Sequence, residues 1–178
     1  MAPEQVFSIL LERFGDVVVE VNVADAHPRA VVQPQRWHEL ALFLRDDQRL
    51  GFNWLRCISG VDHIEDKRLT AVYELHAIRP PARSDGLWEL HAEIAIVIHV
   101  DRAQPHIPSV ADVWPAADWH EREAFDLLGI VFDGHPDLRR ILCCEDWAGH
   151  PLRKDYEFPL EYHGIPAVTE FGQARVQH

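Results

Sequence analysis

The residues most able to do chemistry stand together in one short run, His120-Glu121-Arg122-Glu123. A zinc hydrolase built on such a helix needs a second histidine four residues after the first, on the same face. Position 124 is Ala124, so the ligand set stays incomplete. His135, His150 and His163 follow without ligand spacing. Glu121 and Glu123 are two apart, and on a helix such positions do not face each other, which makes them a poor acid–base pair. Glu121 shares a stripe with Ala117, Ala124, Phe125 and Leu128. A carboxylate buried on an apolar stripe requires partners. Three roles stand open for it: a solvated helix face, a structural carboxylate–guanidinium lock, or catalysis. For a lock, the donors downstream are Arg139, Arg140 and Arg153. Arg139 or Arg140 is the expected partner of Glu121, because Gly129 and Gly134 let the chain turn back. Glu123, on another face, is expected to hold Arg153 or another chain. A locked Glu121 would be costly to neutralise.

Other chemistries lack their motifs. There is no G-x-x-x-x-G-K-[ST], no G-x-G-x-x-G and no G-x-S-x-G. Seventeen Lys and Arg face twenty-nine Asp and Glu, a net charge of −12 with His neutral. Such an anion is repelled by phosphate backbones and anionic lipid, which argues against nucleic acid or a bare membrane as partner. All the bases except Lys67 and Lys154 are Arg, the residue suited to fixed, bidentate carboxylate pairing. The three cysteines, Cys57, Cys143 and Cys144, show no disulfide framework and suit a reducing compartment. They cannot supply the usual four-cysteine iron–sulfur set. The longest apolar stretch, Ile94 to Ile98, is far short of the ~20 residues a membrane-spanning helix needs. The N-terminal residues lack the basic and apolar regions of a secretory signal.

The elements that must position these residues are legible for two thirds of the chain. Val6, Ile9, Leu10 and Phe14 share a helical stripe over 3–14, with Gly15 as the expected cap. Val17, Val19, Val21 and Val23 alternate with Val18, Glu20 and Asn22 as a strand, and a short strand is expected over 29–33. Pro34 opens a second helix to about Arg45, with Trp37, Leu40, Ala41 and Leu44 inward. A strand is expected over 52–58. The alternating runs 69–77 and 88–100 flank a breaker-rich stretch, Arg79-Pro-Pro-Ala-Arg-Ser-Asp-Gly86. They predict a long antiparallel hairpin with one face buried and one polar. Pro115 starts a third helix that Gly129 stops. The order of elements predicts an α+β fold: a two-layer domain with a mixed, largely antiparallel sheet and two to three helices over residues 1–129.

After Gly129 periodicity is lost. Forty-nine residues follow, rich in Pro and Gly yet carrying six aromatics, Phe132, Trp147, Tyr156, Phe158, Tyr162 and Phe171. Disordered tails are usually poor in aromatics. Residues 130–178 therefore read as an extended, irregular C-terminal arm that packs on other chains and gains protection from exchange over 160–178 only when bound.

The run Glu121-Arg122-Glu123-Ala-Phe-Asp126-Leu-Leu, then His135, Arg139, Arg140 and Ile141-Leu142, resembles the signature of one family. It is the thirty-kilodalton subunit family of proton-pumping NADH:quinone oxidoreductase, respiratory complex I. Val113-Trp114-Pro115 to His120 before it looks like the same family. So does Glu145-Asp146-Trp147-Ala-Gly149-His150-Pro151-Leu152-Arg153-Lys154-Asp155-Tyr156 after it. The likeness is continuous over about 45 residues and is specific. Trp54 to Asp62, ending Ser59-Gly60-Val61-Asp62, is similar too.

The resemblance implies a non-redox scaffold in the hydrophilic arm of the complex, peripheral on the cytoplasmic face of the bacterial cell membrane. It touches the membrane only through the complex, and it is inactive as an isolated chain. It implies no cofactor on this chain, with FMN and iron–sulfur clusters on partner subunits. The expected partners are the quinone-site subunit of the forty-nine-kilodalton type and the cluster-bearing subunits. Related chains occur in membrane-bound hydrogenase and formate hydrogenlyase assemblies, which leaves those as the alternative. The free-standing length favours a separate subunit. An autonomous metal hydrolase on His120, Glu121 and Glu123 is the rival from another class.

Overall fold

The computed structural model describes residues 1–80 and 88–166. Most of the breaker-rich stretch after Arg79, and the last twelve positions with Phe171, lie outside the described residues. Pro3 sits at the first turn of helix α1 (Pro3–Phe14), where its missing N–H costs nothing. Val6, Phe7, Leu10 and Phe14 are buried. Gly15 closes the helix with a right-handed backbone, φ −60°, not the left-handed cap expected of it. Strands β1 (Val18–Asn22) and β2 (Arg29–Val32) follow. A single 3-10 turn at Pro34 leads into α2 (Trp37–Asp46). Then come β3 (Trp54–His63), β4 (Arg68–Arg79) and β5 (Glu89–Asp101).

The five strands form one sheet in the order β1-β2-β5-β4-β3. Only the β2–β5 pair is parallel. The three helices pool their apolar faces with one sheet face in a single core, which is the α+β arrangement expected. At its centre Trp37 stacks tilted on Tyr73, centroids 4.6 Å apart. Trp114 Nε1 donates to the Phe52 carbonyl at 2.8 Å. Side chains of this size each bury on the order of 150–250 Å², so these three rings are among the largest contributors to the apolar term.

Two registers depart from simple alternation. A bulge between Val18 and Glu20 breaks the valine face of β1, so Val17 is buried while Val19 is 64% exposed. An extra residue in the β4–β5 ladder near Ala77 turns Leu90 away from the core side, and both Leu90 and Trp88 are exposed. One slipped residue exchanges every face beyond it. Ala95 and Val97, on the expected polar face of β5, are buried as well. Their strand is central, flanked on both sides by β2 and β4.

Beyond β5 the chain makes β6 (His106–Pro108), α3 (Ala117–Leu128) and β7 (Val131–Asp133). β6 and β7 pair in parallel, bracketing α3. Neither strand was visible as periodicity, since three residues carry no period. Ile130 and Phe132 enter the core, so packing continues past Gly129. Among the described residues the remainder is irregular apart from a small hairpin, β8 (Glu161–Tyr162) and β9 (Ile165–Pro166). Its two-residue turn, His163-Gly164, has positive φ at both positions, the geometry that matches strand twist.

Candidate functional site

Helix α3 ends where the signature residues gather. Its last carbonyls have no partners within the helix, and the segment that follows supplies them. The carbonyl of Asp126 accepts from His150 Nδ1 at 2.9 Å and from Arg140 at 3.3 Å. That of Leu127 accepts from the Leu152 N–H at 3.0 Å. That of Leu128 accepts from Arg153 Nε at 2.7 Å. Two guanidinium groups at a helix C-terminus also oppose its negative dipole end. Burial pushes the His150 imidazole below its ordinary pKa, which favours the neutral ring.

Gly129 makes this closure possible. Its φ is 75°, and a Cβ there would lie 2.5 Å from His150 Nε2 and 2.9 Å from Arg153. Gly129→Ala is expected to cost about 1–2 kcal/mol from the left-handed backbone alone, with more from displacing the two caps. Chemical denaturation of the variant checks this; a loss no larger than the backbone cost would mean the caps contribute nothing.

Asp126 is the main anchor. Its side chain is wholly buried. Oδ1 takes Arg140 at 2.7 Å, while Oδ2 accepts the N–H groups of Ile141, Leu142 and Cys143 at 3.0, 2.7 and 2.9 Å. Burial by itself raises this carboxyl's pKa, but those N–H donors and Arg140 outweigh it and bring the pKa down to about 2. A second anchor lies across the arm. Asp62, at the end of β3, accepts Arg102 on both oxygens at 2.8 and 3.0 Å and the Lys154 N–H at 2.8 Å. Arg102 also reaches Asp155. The Arg102 contact is the chief cause of the lowered Asp62 pKa.

Glu121 is buried, as its stripe implied, but among the described residues no guanidinium pairs with it. Ser109 Oγ donates to Oε2 at 2.5 Å and the Val110 N–H to Oε1 at 2.8 Å. The expected arginine lock is corrected: Arg140 is committed to Asp126, and the exposed Arg139 pairs with Asp137 at 2.8 Å. Desolvation dominates at Glu121 and raises its pKa to about 7. The connector residue Ser109 follows β6, so Glu121 ties α3 to that connector. Glu123 is half exposed, and its ion-pair contact is His120 at 4.0 Å. It does not hold Arg153, which caps Leu128. His120 and Glu121 thus do not converge on a common point. Among the described residues no three His, Cys, Asp or Glu side chains are grouped to hold a metal.

The remaining signature residues brace the arm. Arg122 is nearly buried, stacked over the Trp119 ring at 4.2 Å and hydrogen-bonded to the Asp118 carbonyl. His135 bonds the same carbonyl at 3.1 Å. Asp146 receives Tyr162 Oη at 2.7 Å and His163 at 2.6 Å, while Trp147 lies tilted on Tyr162, centroids 5.0 Å apart. Tyr156 Oη donates to the Ala148 carbonyl. Arg102 and Ser109 were missed by sequence reasoning. Each meets its carboxylate across a long separation, 40 and 12 residues, and no spacing rule signals that.

Ile130 and Phe132 root the arm in the core, and beyond Leu138 it is held mainly by polar anchors. Leu142, Leu152, Phe158, Leu160 and Ile165 all stay exposed. Among the described residues no helix is long and apolar enough to cross a membrane.

Comparison with known proteins places this geometry. The family described as respiratory-chain NADH dehydrogenase, 30 Kd subunit, matches residues 30–162. A protein of Chloroherpeton thalassium, named as the C subunit of NADH-quinone oxidoreductase, is 43% identical over 163 residues, covering 91% of this chain. The chain spans 64% of that relative's length. One of the same name from Chlorobium phaeobacteroides is 42% identical over 160 residues, 89% of this chain and 91% of the relative. Among solved structures, a trypsin-resistant fragment of Nqo5 superposes with TM-score 0.58 at 31% identity, covering 78% of this chain and all of the fragment. A protein from the membrane-bound sulfane sulfur reductase, an archaeal respiratory membrane complex, superposes with TM-score 0.72 over the full length. At 18% identity that likeness speaks for the fold alone. With the family match covering most of the sequence and both named relatives above 40% identity, the chain belongs to the 30 Kd subunit family of respiratory-chain NADH dehydrogenase.

Proposed function

We propose that the protein serves as the thirty-kilodalton subunit of a proton-translocating NADH:quinone oxidoreductase, a structural component of its hydrophilic arm with no redox group of its own. The observation that supports this most is what the signature residues do. The side chains of Asp126, Arg140, His150, Arg153 and Asp155, with the backbone N–H of Lys154, fix the arm to the domain. None of them lines the grooves beside β3–β5 or between β3 and α3. The acidic surface and the exposed apolar residues of the arm suit burial against other proteins better than against lipid or nucleic acid.

On this reading FMN and the iron–sulfur clusters sit on neighbouring subunits, and electrons pass from NADH to quinone there. The protein keeps the cluster-bearing and quinone-site subunits in register. It lies on the cytoplasmic face and meets the membrane only through the complex. Affinity purification of the tagged protein tests this. The expected result is recovery with the NADH- and quinone-handling subunits and with NADH:quinone activity. Recovery with hydrogenase-type subunits would assign it to that related assembly, and recovery alone would overturn the reading.

A further inference from the structure

The two edges of the sheet differ. β1 is five residues long, bulged, and carries Glu20 at the bulge, the usual protections of an edge strand. β3 is ten residues long, and among the described residues no strand pairs with its other side. It is regular from Cys57 to His63 and contains no Pro or Lys. Such an edge presents a row of N–H and C=O groups that only another extended backbone satisfies in register. Beside it runs a groove of about 230 Å³. Ile58, Gly60, Ala124, Leu127, Leu128 and Leu152 line it, with Ser59 and Glu123 at its polar margin. Leu152 belongs to the arm, so the clamps described above build one wall of the groove.

We propose that the free edge of β3 and this groove receive an extended segment of a neighbouring subunit, which adds a sixth strand to the sheet. The proposal rests on the reading of the protein as part of a larger complex. Alternate apolar side chains of the segment enter between Leu127 and Leu152, and a basic side chain meets Glu123. Charge argues for this occupant over a second copy. Each copy carries −12, and two copies paired edge to edge would bring like-charged Glu123 margins together. Among the described residues the half-exposed Glu123 has only a distant histidine contact, at 4.0 Å, which leaves its carboxylate open to a cation from a partner.

The test is amide hydrogen exchange, resolved to single residues, on the full-length protein alone and in the purified complex. Alternate amides between Cys57 and Val61 are expected to exchange freely in the isolated protein. In the complex they should slow by about 100-fold or more, as strand pairing protects. Glu123→Lys should lower recovery with the complex by about tenfold, the scale of one lost interface contact, while leaving the melting midpoint of the isolated protein unchanged. Equal exchange in both states, with the protein present in the complex, would overturn the added strand and leave the subunit reading standing. Failure to enter any complex would overturn both. Protection that rises with concentration of the isolated protein, together with a dimer mass, would give the edge to a second copy and overturn the proposal.

Discussion

Asp126→Ala is expected to release the arm from the domain. The substitution strands Arg140 and three consecutive N–H groups that now converge on one buried carboxylate. Removing one member of a buried, hydrogen-bonded charge set costs about 3–5 kcal/mol, because the donors left behind are neither paired nor fully hydrated. The loss should be local. Amide protection at Ile141, Leu142 and Cys143 should vanish, and proteolysis should begin between 137 and 156. The core around Trp37, Tyr73 and Trp114 draws nothing from Asp126 and should keep its fluorescence. Asp126→Asn should fall between, since one oxygen still accepts while the new amide opposes Arg140. Unchanged protection at 141–143 in the Ala variant would show that the arm is held by something other than this carboxylate. Acid should imitate the variant. The folded pKa of about 2 lies below the ordinary 3.8, so this stabilisation is complete above about pH 4 and lost as pH falls towards 2. The Asp62 clamp, shifted in the same direction by Arg102, also weakens as pH falls.

How far the sequence anticipated this depends on what kind of interaction does the work. Helices α1, α2 and α3 and the long β4–β5 hairpin rest on periodic burial, and periodicity is visible along the chain. Bulges are not, which is why Val19 and Leu90 landed on the wrong faces. The arm follows a third rule. Its conformation is set by carboxylates on α3 and β3 that accept backbone N–H groups, and backbone donors have no sequence signature. Glu121 and Arg140 were each expected in a buried pair, yet they are not each other's partners. Residues 126 and 121 are five apart on one helix and both are buried. The arginine reaches the one nearer the helix end, where the arm turns back. Spacing selected the right helix and the right residue types, and only three-dimensional reach decided which carboxylate got the cation.

That exchange of partners reverses what neutralising Glu121 should do. Locked to an arginine, Glu121→Gln would have been costly. With Ser109 Oγ and the Val110 N–H as its partners, the interior favours the neutral acid, and glutamine is close to its shape. The amide oxygen can still accept from Val110, and the amide N–H can donate to Ser109. The folded pKa of about 7 lies above the ordinary 4.5. Glu121 therefore contributes stability that is complete below about pH 4.5 and is lost as pH rises to 7, about 3 kcal/mol across that span. This slope opposes the one from Asp126 and Asp62, so the three carboxyls together place their best stability near pH 4–5. Glu121→Gln should remove the upper slope. Its unfolding free energy should gain on that of the parent protein from pH 5 to 8 and exceed it by roughly 1–3 kcal/mol at pH 8, the range left after an imperfect amide hydrogen bond. Urea titrations of both proteins across that pH range provide the measurement. A Gln variant weaker than the parent at pH 8 would mean that the carboxylate, ionised in the core, has a cationic partner after all.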